Sequence, residues 1–239
     1  MMKILGIRNF RGLIALLTAC SLSPALAAPA QSTFIYSVSQ GKEVIGEIQE
    51  TLTIDAQRYK LESKTIPLGV AAIFVKDIIL MSSEGEYGSS GFQPERFEFH
   101  RSTKPKKDAT ARFDWTGKKA EFSYDGKTES QALPELLQDR LSALYQFRFL
   151  LKPPKSQTFP VSNGKKIENQ LFKYGGEETL TLPIGKVKAM RFVRERTPDD
   201  DGIALWISDQ WAAPVKIVVT RKKGGQTEQV LKRAKLDGR

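Results

Sequence analysis

The chain of 239 residues carries 37 Lys and Arg against 27 Asp and Glu, a formal charge of +10, with one His, one Cys and 40% hydrophobic residues. One histidine and one cysteine exclude a zinc site of the usual Cys/His kind, a disulfide framework and an iron–sulfur cluster, so neither metal nor cofactor is expected. The mix of charged and apolar residues is that of a folded globular protein rather than a disordered chain.

Residues 1–27 read as a signal peptide. Lys3, Arg8 and Arg11 open it without an acidic residue, and the apolar run Leu13 to Ala19 is shorter than the ~20 residues a bilayer span requires. Ala25-Leu26-Ala27 behind Pro24 is a small-x-small cleavage site, which leaves one β-rich domain over 28–239. Leu17-Thr18-Ala19-Cys20 resembles a bacterial lipobox and gives the alternative, a lipoprotein signal over 1–19 with Cys20 lipidated and the product anchored to a membrane. The first site leaves the longer, more ordinary apolar core and is favoured. Both readings put the domain outside the cytoplasm, in the periplasm. Cleavage after Ala27 leaves 34 basic against 27 acidic residues, still +7. No later stretch reads as a transmembrane span, because the richest, Ile66 to Leu80, is broken by Pro67, Gly69, Lys76 and Asp77.

Along the domain the dominant period is two. Phe34, Tyr36 and Val38 alternate with polar or outward neighbours, Gln40-Gly41-Lys42 turns the chain, and Ile48, Leu52 and Ile54 continue opposite Glu47, Gln49, Thr51 and Thr53. Strands follow at Tyr59 and Leu61, Phe97 and Phe99, Ala109 to Trp115, and Ala120 to Tyr124, separated by turn residues such as Gly91-Phe92-Gln93-Pro94 and Asp125-Gly126. Beyond residue 155, Asn163-Gly164, Gly175-Gly176, Pro183-Ile184-Gly185 and Gly224-Gly225 punctuate further short strands. The pattern predicts a mainly β fold: a large curved antiparallel sheet or partly open β-barrel of about a dozen strands.

One segment breaks the period. Leu133, Leu137, Leu141, Leu144 and Leu151 share a helical face, widened by Leu136, Ala143, Phe147 and Leu150. The spacing predicts a buried helix over about 134–151, begun by Pro134 and packed on the sheet, with a hinge at 152–156.

The order Tyr36-x-Val38, Gly46, Tyr59-x-Leu61, Ser83-x-Gly85, Gly91-Phe92-x-Pro94, Phe113-Asp114, Gln138-Asp139-Arg140-Leu141-Ser142, Pro183-x-Gly185, Leu205-Trp206-Ile207-Ser208 and Pro214-Val215 resembles the domain of unknown function 3108 (DUF3108) family of exported bacterial proteins. Gln138-Asp139-x-Leu141-Ser142 is the most distinctive piece; Phe92 departs from the aliphatic residue expected there. The resemblance implies export and a β-rich single domain, and it brings no catalytic residues. A more distant architectural likeness runs to periplasmic lipoprotein carriers, half-open barrels with a helical lid.

No catalytic constellation emerges. His100 ends a strand on its wet face without an evident partner; Ser39 and Lys42 fit a Ser-x-x-Lys spacing inside a hairpin turn; Asp199-Asp200-Asp201 lacks the spacing of a calcium loop; and Glu177-Glu178 needs an opposing carboxylate to do acid–base work. The leading expectation is a non-enzymatic envelope protein that binds or carries an apolar or amphipathic molecule, a lipid for instance, in a cavity under the helix. Leu137, Leu141, Leu144 and Tyr145 would meet inward Phe97, Phe99, Phe113 and Trp206 there. The alternative is an envelope assembly protein that uses basic turns such as Lys104 to Lys107 and Arg221 to Lys223, with an exposed Trp211, to hold a protein, an anionic membrane surface or a polymer. A hydrolase of unknown type ranks third. Nucleic acid is excluded as a partner outside the cytoplasm.

Overall fold

Alternating side chains make strands where one face finds an apolar partner, and here that partner is the same sheet curled back on itself. The computed structural model describes residues 30–150, 153–211 and 213–236. The signal segment, both cleavage sites and Cys20 lie outside the described residues, as do Leu151 and Lys152 at the end of the expected helix and start of the expected hinge. Of the remaining hinge residues, 153–155 lead directly into a strand and Ser156 already belongs to it.

An antiparallel meander forms the first half: β1 (Ala30–Gln40), β2 (Glu43–Asp55), β3 (Arg58–Pro67), β4 (Ile79–Gly88), β5 (Gly91–Arg101), β6 (Ala109–Asp114), β7 (Lys119–Tyr124) and β8 (Lys127–Ala132). After the two-residue strand β9 (Gln138–Asp139), a second meander contains β10 (Ser156–Ser162), β11 (Ile167–Leu182), β12 (Gly185–Arg194), β13 (Gly202–Ser208), β14 (Ala213–Thr220) and β15 (Gln226–Leu236). All fifteen belong to one sheet. β15 pairs with β1, so the first and last strands meet in the middle, while β8 and β9 form the two edges. β9 pairs with β10 in parallel, which makes the sheet mixed. The strands beyond the expected dozen include β8, exposed along its whole length, and the very short β9; neither carries an apolar alternation to read.

The sheet curls without closing into a barrel. The β10–β11 turn folds onto the inner face of β5 and β6: Gly164, at φ +90°, sits where a Cβ would come within 3.1 Å of both the Phe97 ring and Ala109. Next to it, Asn163 Oδ1 accepts the Lys165 and Lys166 amides, fixing the tight turn that Asn-Gly announced. At the other edge, Gln138 Nε2 donates to the Phe92 carbonyl at 2.8 Å, and the Phe92 amide donates to Gln146 Oε1 at 2.9 Å. The halves therefore touch through side chains, with no closing ladder.

The long helix is the main correction. The helix within that segment is α2 (Ser142–Gln146), continued by a 3-10 turn over Phe147–Phe149. Before it, Leu136 is in the left-handed region at φ +58° and exposed, and Gln138–Asp139 has joined the sheet. The apolar spacing recorded burial from several sides, which tertiary packing satisfies without helical geometry. Asp139 sets where the helix begins: its Oδ1 accepts the Leu141 and Ser142 amides at 2.8 and 2.9 Å.

Two apolar clusters flank α2. Tyr145 points into the first with Phe34, Leu61, Phe97 and Leu141, all at most 1% exposed. Phe147 points into the second, its ring centroid 5.3, 4.9 and 4.6 Å from those of Phe159, Phe172 and Phe192.

Candidate functional site

Between the two clusters the concave face opens into a basin of about 520 Å³. That lies within the ~300–1,000 Å³ usual for small-molecule sites. Its walls come from both halves of the sheet and from α2: Ile48, Met81 and Phe99 on one side, Val161 and Ile217 on the other, Leu144 and Phe147 from the helical segment. Other depressions among the described residues are more open, including one of about 650 Å³ beside Trp206, and none is walled by the helical segment.

The stretch 138–142 positions a cation in this basin. Asp139 is wholly buried; besides the two helix amides it accepts the Ser83 hydroxyl at 2.5 Å, and Ser83 Oγ lies 2.7 Å from the Tyr59 hydroxyl. Burial raises the Asp139 carboxyl above its ordinary value, against the opposing hydrogen bonds from Ser83, Ser142 and Leu141. On its other side the Arg140 amide donates to the Ser162 carbonyl at 2.9 Å. With both neighbours locked, the Arg140 side chain projects from β9 into the basin, where its guanidinium carbon stands 5.5 Å from the centre of the Phe99 ring.

Arg140 is wet but deep. Its side chain reaches the solvent of the basin, yet the protein around it pulls the guanidinium below its ordinary value, with Asp139 opposing and Arg221 adding to the effect. An arginine stays charged at physiological pH regardless. No described residue forms an ion pair or hydrogen bond with that guanidinium. The acidic side chains around the basin are matched elsewhere: Glu168 to Lys166 at 2.6 Å, Asp201 to Arg221 at 3.0 Å, Asp200 to Arg194, and Glu228 to Lys216.

Glu50 is the acidic group set into the basin wall. It is 3% exposed, accepts the Tyr145 hydroxyl at 2.6 Å and the Ser63 hydroxyl at 3.2 Å, and burial pushes its carboxyl up to about 7 despite those bonds. Burial and the Glu50 charge also push the Tyr145 and Tyr36 hydroxyls well above their ordinary range. Tyr36 Oη is fully enclosed and has no partner in hydrogen-bonding geometry among the described residues.

The expected cavity residues separate into two groups. Phe99 and Leu144 line the basin. Leu137, Leu141, Tyr145, Phe97 and Phe113 belong to the closed first cluster, behind its wall. Trp206, 8% exposed, is a buried member of the same cluster, and it also borders a groove with its cross-strand neighbours Arg191 and Lys216, whose cationic groups lie 5.3 Å from its ring, while its indole donates to Glu178 at 3.1 Å. Its neighbours along β13, Leu205 and Ile207, face the second cluster instead. Trp211, expected to be exposed, is half-buried and packed against the first cluster.

Arg140 and Glu50 were not singled out by the sequence. Glu50 was detectable, because strand parity with Ile48 and Leu52 turns it inward.

The remaining chemical candidates have structural partners. His100 Nδ1 lies 2.5 Å from Asp108 on the outer face, and Asp108 also accepts the Arg101 amide. Asp199 to Asp201 form a loop tied by Arg194 and Arg221, and Glu177 and Glu178 pair across strands with Lys188 and Arg191. Ser39 is the next-to-last residue of β1, and Lys42 lies in the turn that follows.

These observations define a class: a single curled β-sheet around a short central helix, with a basin of mixed apolar and charged walls that holds an unmatched cation. The chain belongs to the family described as "Protein of unknown function (DUF3108)", which matches residues 35–231. No curated protein matches it. Among solved structures it is similar to a "putative lipoprotein" from Parabacteroides distasonis at 11% identity and a TM-score of 0.38, over 85% of this chain and 94% of the other. A DUF1329 family protein from Desulfovibrio piger is similar at 9% identity and a TM-score of 0.23, over 88% and 86%. Likeness at that level transfers no property from either protein. No described helix is long and apolar enough to cross a membrane.

Proposed function

We propose that the protein is an exported envelope protein, non-enzymatic, that binds an amphipathic molecule in the basin, with an anionic head at Arg140 and an apolar tail along Phe99, Leu144, Phe147 and Ile217. The observation that carries this reading is the unmatched Arg140 guanidinium in a cavity whose walls combine apolar side chains with charged groups already paired to one another. Arg140 is solvent-accessible, and a ligand carboxylate or phosphate would give its guanidinium the charge-assisted partner that no described residue supplies. Glu50, largely protonated below neutrality, adds little repulsion for such a head.

A fluorescent long-chain fatty acid tests the reading. Arg140→Gln removes a charge-assisted contact of about 1.5–3 kcal/mol and is expected to weaken the acid roughly 10- to 100-fold. A long-chain alcohol of the same length should bind wild type and variant alike. Equal affinity of the acid for both proteins, or no binding of either probe, refutes the assignment. Native mass spectrometry of protein purified from its own compartment reports any resident ligand and the mature N-terminus together.

A further inference from the structure

Most of the exposed large apolar side chains among the described residues collect at one corner. Between β3 and β4 the chain forms a single helical turn, α1 (Ala71–Phe74), in which no residue is buried. Val70 and Ile73 are each 68% exposed and Phe74 80%, with Leu68, Val75 and nearby Val44 also exposed. The corner is built rather than frayed. The Leu68 amide donates to the Ile45 carbonyl at 3.0 Å, the Val75 amide to the Ala71 carbonyl at 2.8 Å, and Gly69, at φ +59°, lies so close to β2 that a Cβ would stand 3.1 Å from the Val44 carbonyl.

Beside it stands a basic loop, held by the same residues. Asp77, just past the apolar turn, accepts Arg101 Nε at 2.6 Å and the Thr103 amide at 3.1 Å, while Ile78 and Ser102 exchange hydrogen bonds of 2.8 and 3.0 Å. This clasp fixes Lys104, Lys106 and Lys107 next to the apolar turn, and Lys76 joins them from the turn itself. All four lysines are exposed, and none forms an ion pair with a described residue. The Asp77 carboxyl would be raised by burial, but the Thr103 and Arg101 bonds outweigh that and hold it below its ordinary value, so the clasp stays charged.

We infer that this corner docks the protein on a lipid surface with anionic headgroups: Val70, Ile73 and Phe74 enter the headgroup–acyl boundary and the four lysines meet the phosphates around them. Exposed apolar side chains flanked by unpaired cations are the arrangement an interfacial anchor needs. The corner lies at the strand ends from which Thr65 and Ile79 line the basin, so docking turns the basin mouth toward the bilayer. Ala30, where β1 begins, pairs with Ile54 at the opposite end of the sheet. The inference stands on its own residues and survives if the basin proves to hold no ligand.

Flotation of the purified full-length exported protein with phosphatidylglycerol–phosphatidylethanolamine vesicles tests it, with phosphatidylcholine vesicles as the uncharged comparison. The expected result is binding to the anionic vesicles that weakens with salt, and a loss of roughly tenfold or more in each of the pairs Ile73→Ser with Phe74→Ser and Lys106→Glu with Lys107→Glu. These exposed positions leave the melting temperature unchanged, so a loss reports docking rather than unfolding. A Phe74→Trp protein should shift its emission to the blue on adding anionic vesicles. Absence of vesicle binding, or equal binding by all variants, overturns the inference. So does a concentration-dependent dimer abolished by Ile73→Ser with Phe74→Ser, which would reassign the corner to a second copy of the chain.

Discussion

Replacing Glu50 with Gln isolates the cost of one buried carboxyl. In the folded chain its value is about 7 against 4.5 for the ordinary group, because burial disfavours the charge more than Tyr145 and Ser63 stabilise it. A folded-state value raised in this way means the folded state holds its proton longer than the unfolded state does. The stability it contributes is therefore complete below the unfolded value and is lost as pH rises from about 4.5 to about 7. At 1.36 kcal/mol per unit, the loss comes to about 3 kcal/mol. Gln keeps an oxygen to accept the Tyr145 hydroxyl and an amide to donate to Ser63, without a charge to desolvate. Urea unfolding of both proteins from about pH 4 to about pH 8 should show Glu50→Gln gaining about 3 kcal/mol on wild type across that range. Every other titrating group is common to both proteins and cancels in the difference, including Asp139, also raised, and Asp77, Asp108 and Asp201, all lowered. A difference that stays flat with pH, or that favours wild type at high pH, would refute the account of a strained neutral carboxyl.

Two further substitutions probe the frame around the basin. Asp139→Ala removes the acceptor for two helix amides and the Ser83 hydroxyl, all buried, and is expected to cost on the order of 3–5 kcal/mol in urea unfolding; a loss below about 1 kcal/mol would mean water takes the carboxylate's place. Phe147→Ala empties the site at which Phe159, Phe172 and Phe192 converge and should destabilise by about 3–5 kcal/mol, a value that a collapse of the second cluster into the space would lower well under 2 kcal/mol.

The sequence was most legible where local chemistry decides the backbone. Asp125-Gly126 forms the tight hairpin its residues require, with φ +49° and +70°, and the alternation of Phe34, Tyr36 and Val38 placed those side chains on the face that becomes the interior. It was least legible over residues 134–151, because a segment covered from several sides carries apolar residues at spacings that also fit a helix. Asp139 was readable as a helix cap, but the left-handed Leu136 and the pairing of Gln138–Asp139 with β10 are visible only once Val161 is in place. The basin followed the same rule: Phe99 and Leu144 were readable as apolar and inward, whereas Arg140 acquires its meaning from the acidic residues that other cations have already claimed. Trp206 was readable as buried, whereas the cationic groups of Arg191 and Lys216 that stand over its ring from the neighbouring strands were not.

The pairing of β1 with β15 has a consequence for how the molecule comes into being. The register runs from Ser32 opposite Leu236 to Ser39 opposite Glu228, so the ladder in the middle of the sheet joins nearly the first described residues to nearly the last. A chain that emerges from a ribosome or a translocation pore N-terminus first can assemble the β1–β8 meander early, but β1 then presents an unpaired edge until the final strand arrives. That edge includes Phe34 and Tyr36, whose side chains are covered only in the finished sheet. Folding is thus governed by the slowest kind of contact, one of nearly maximal sequence separation, and the half-made protein is the state most in need of protection from aggregation.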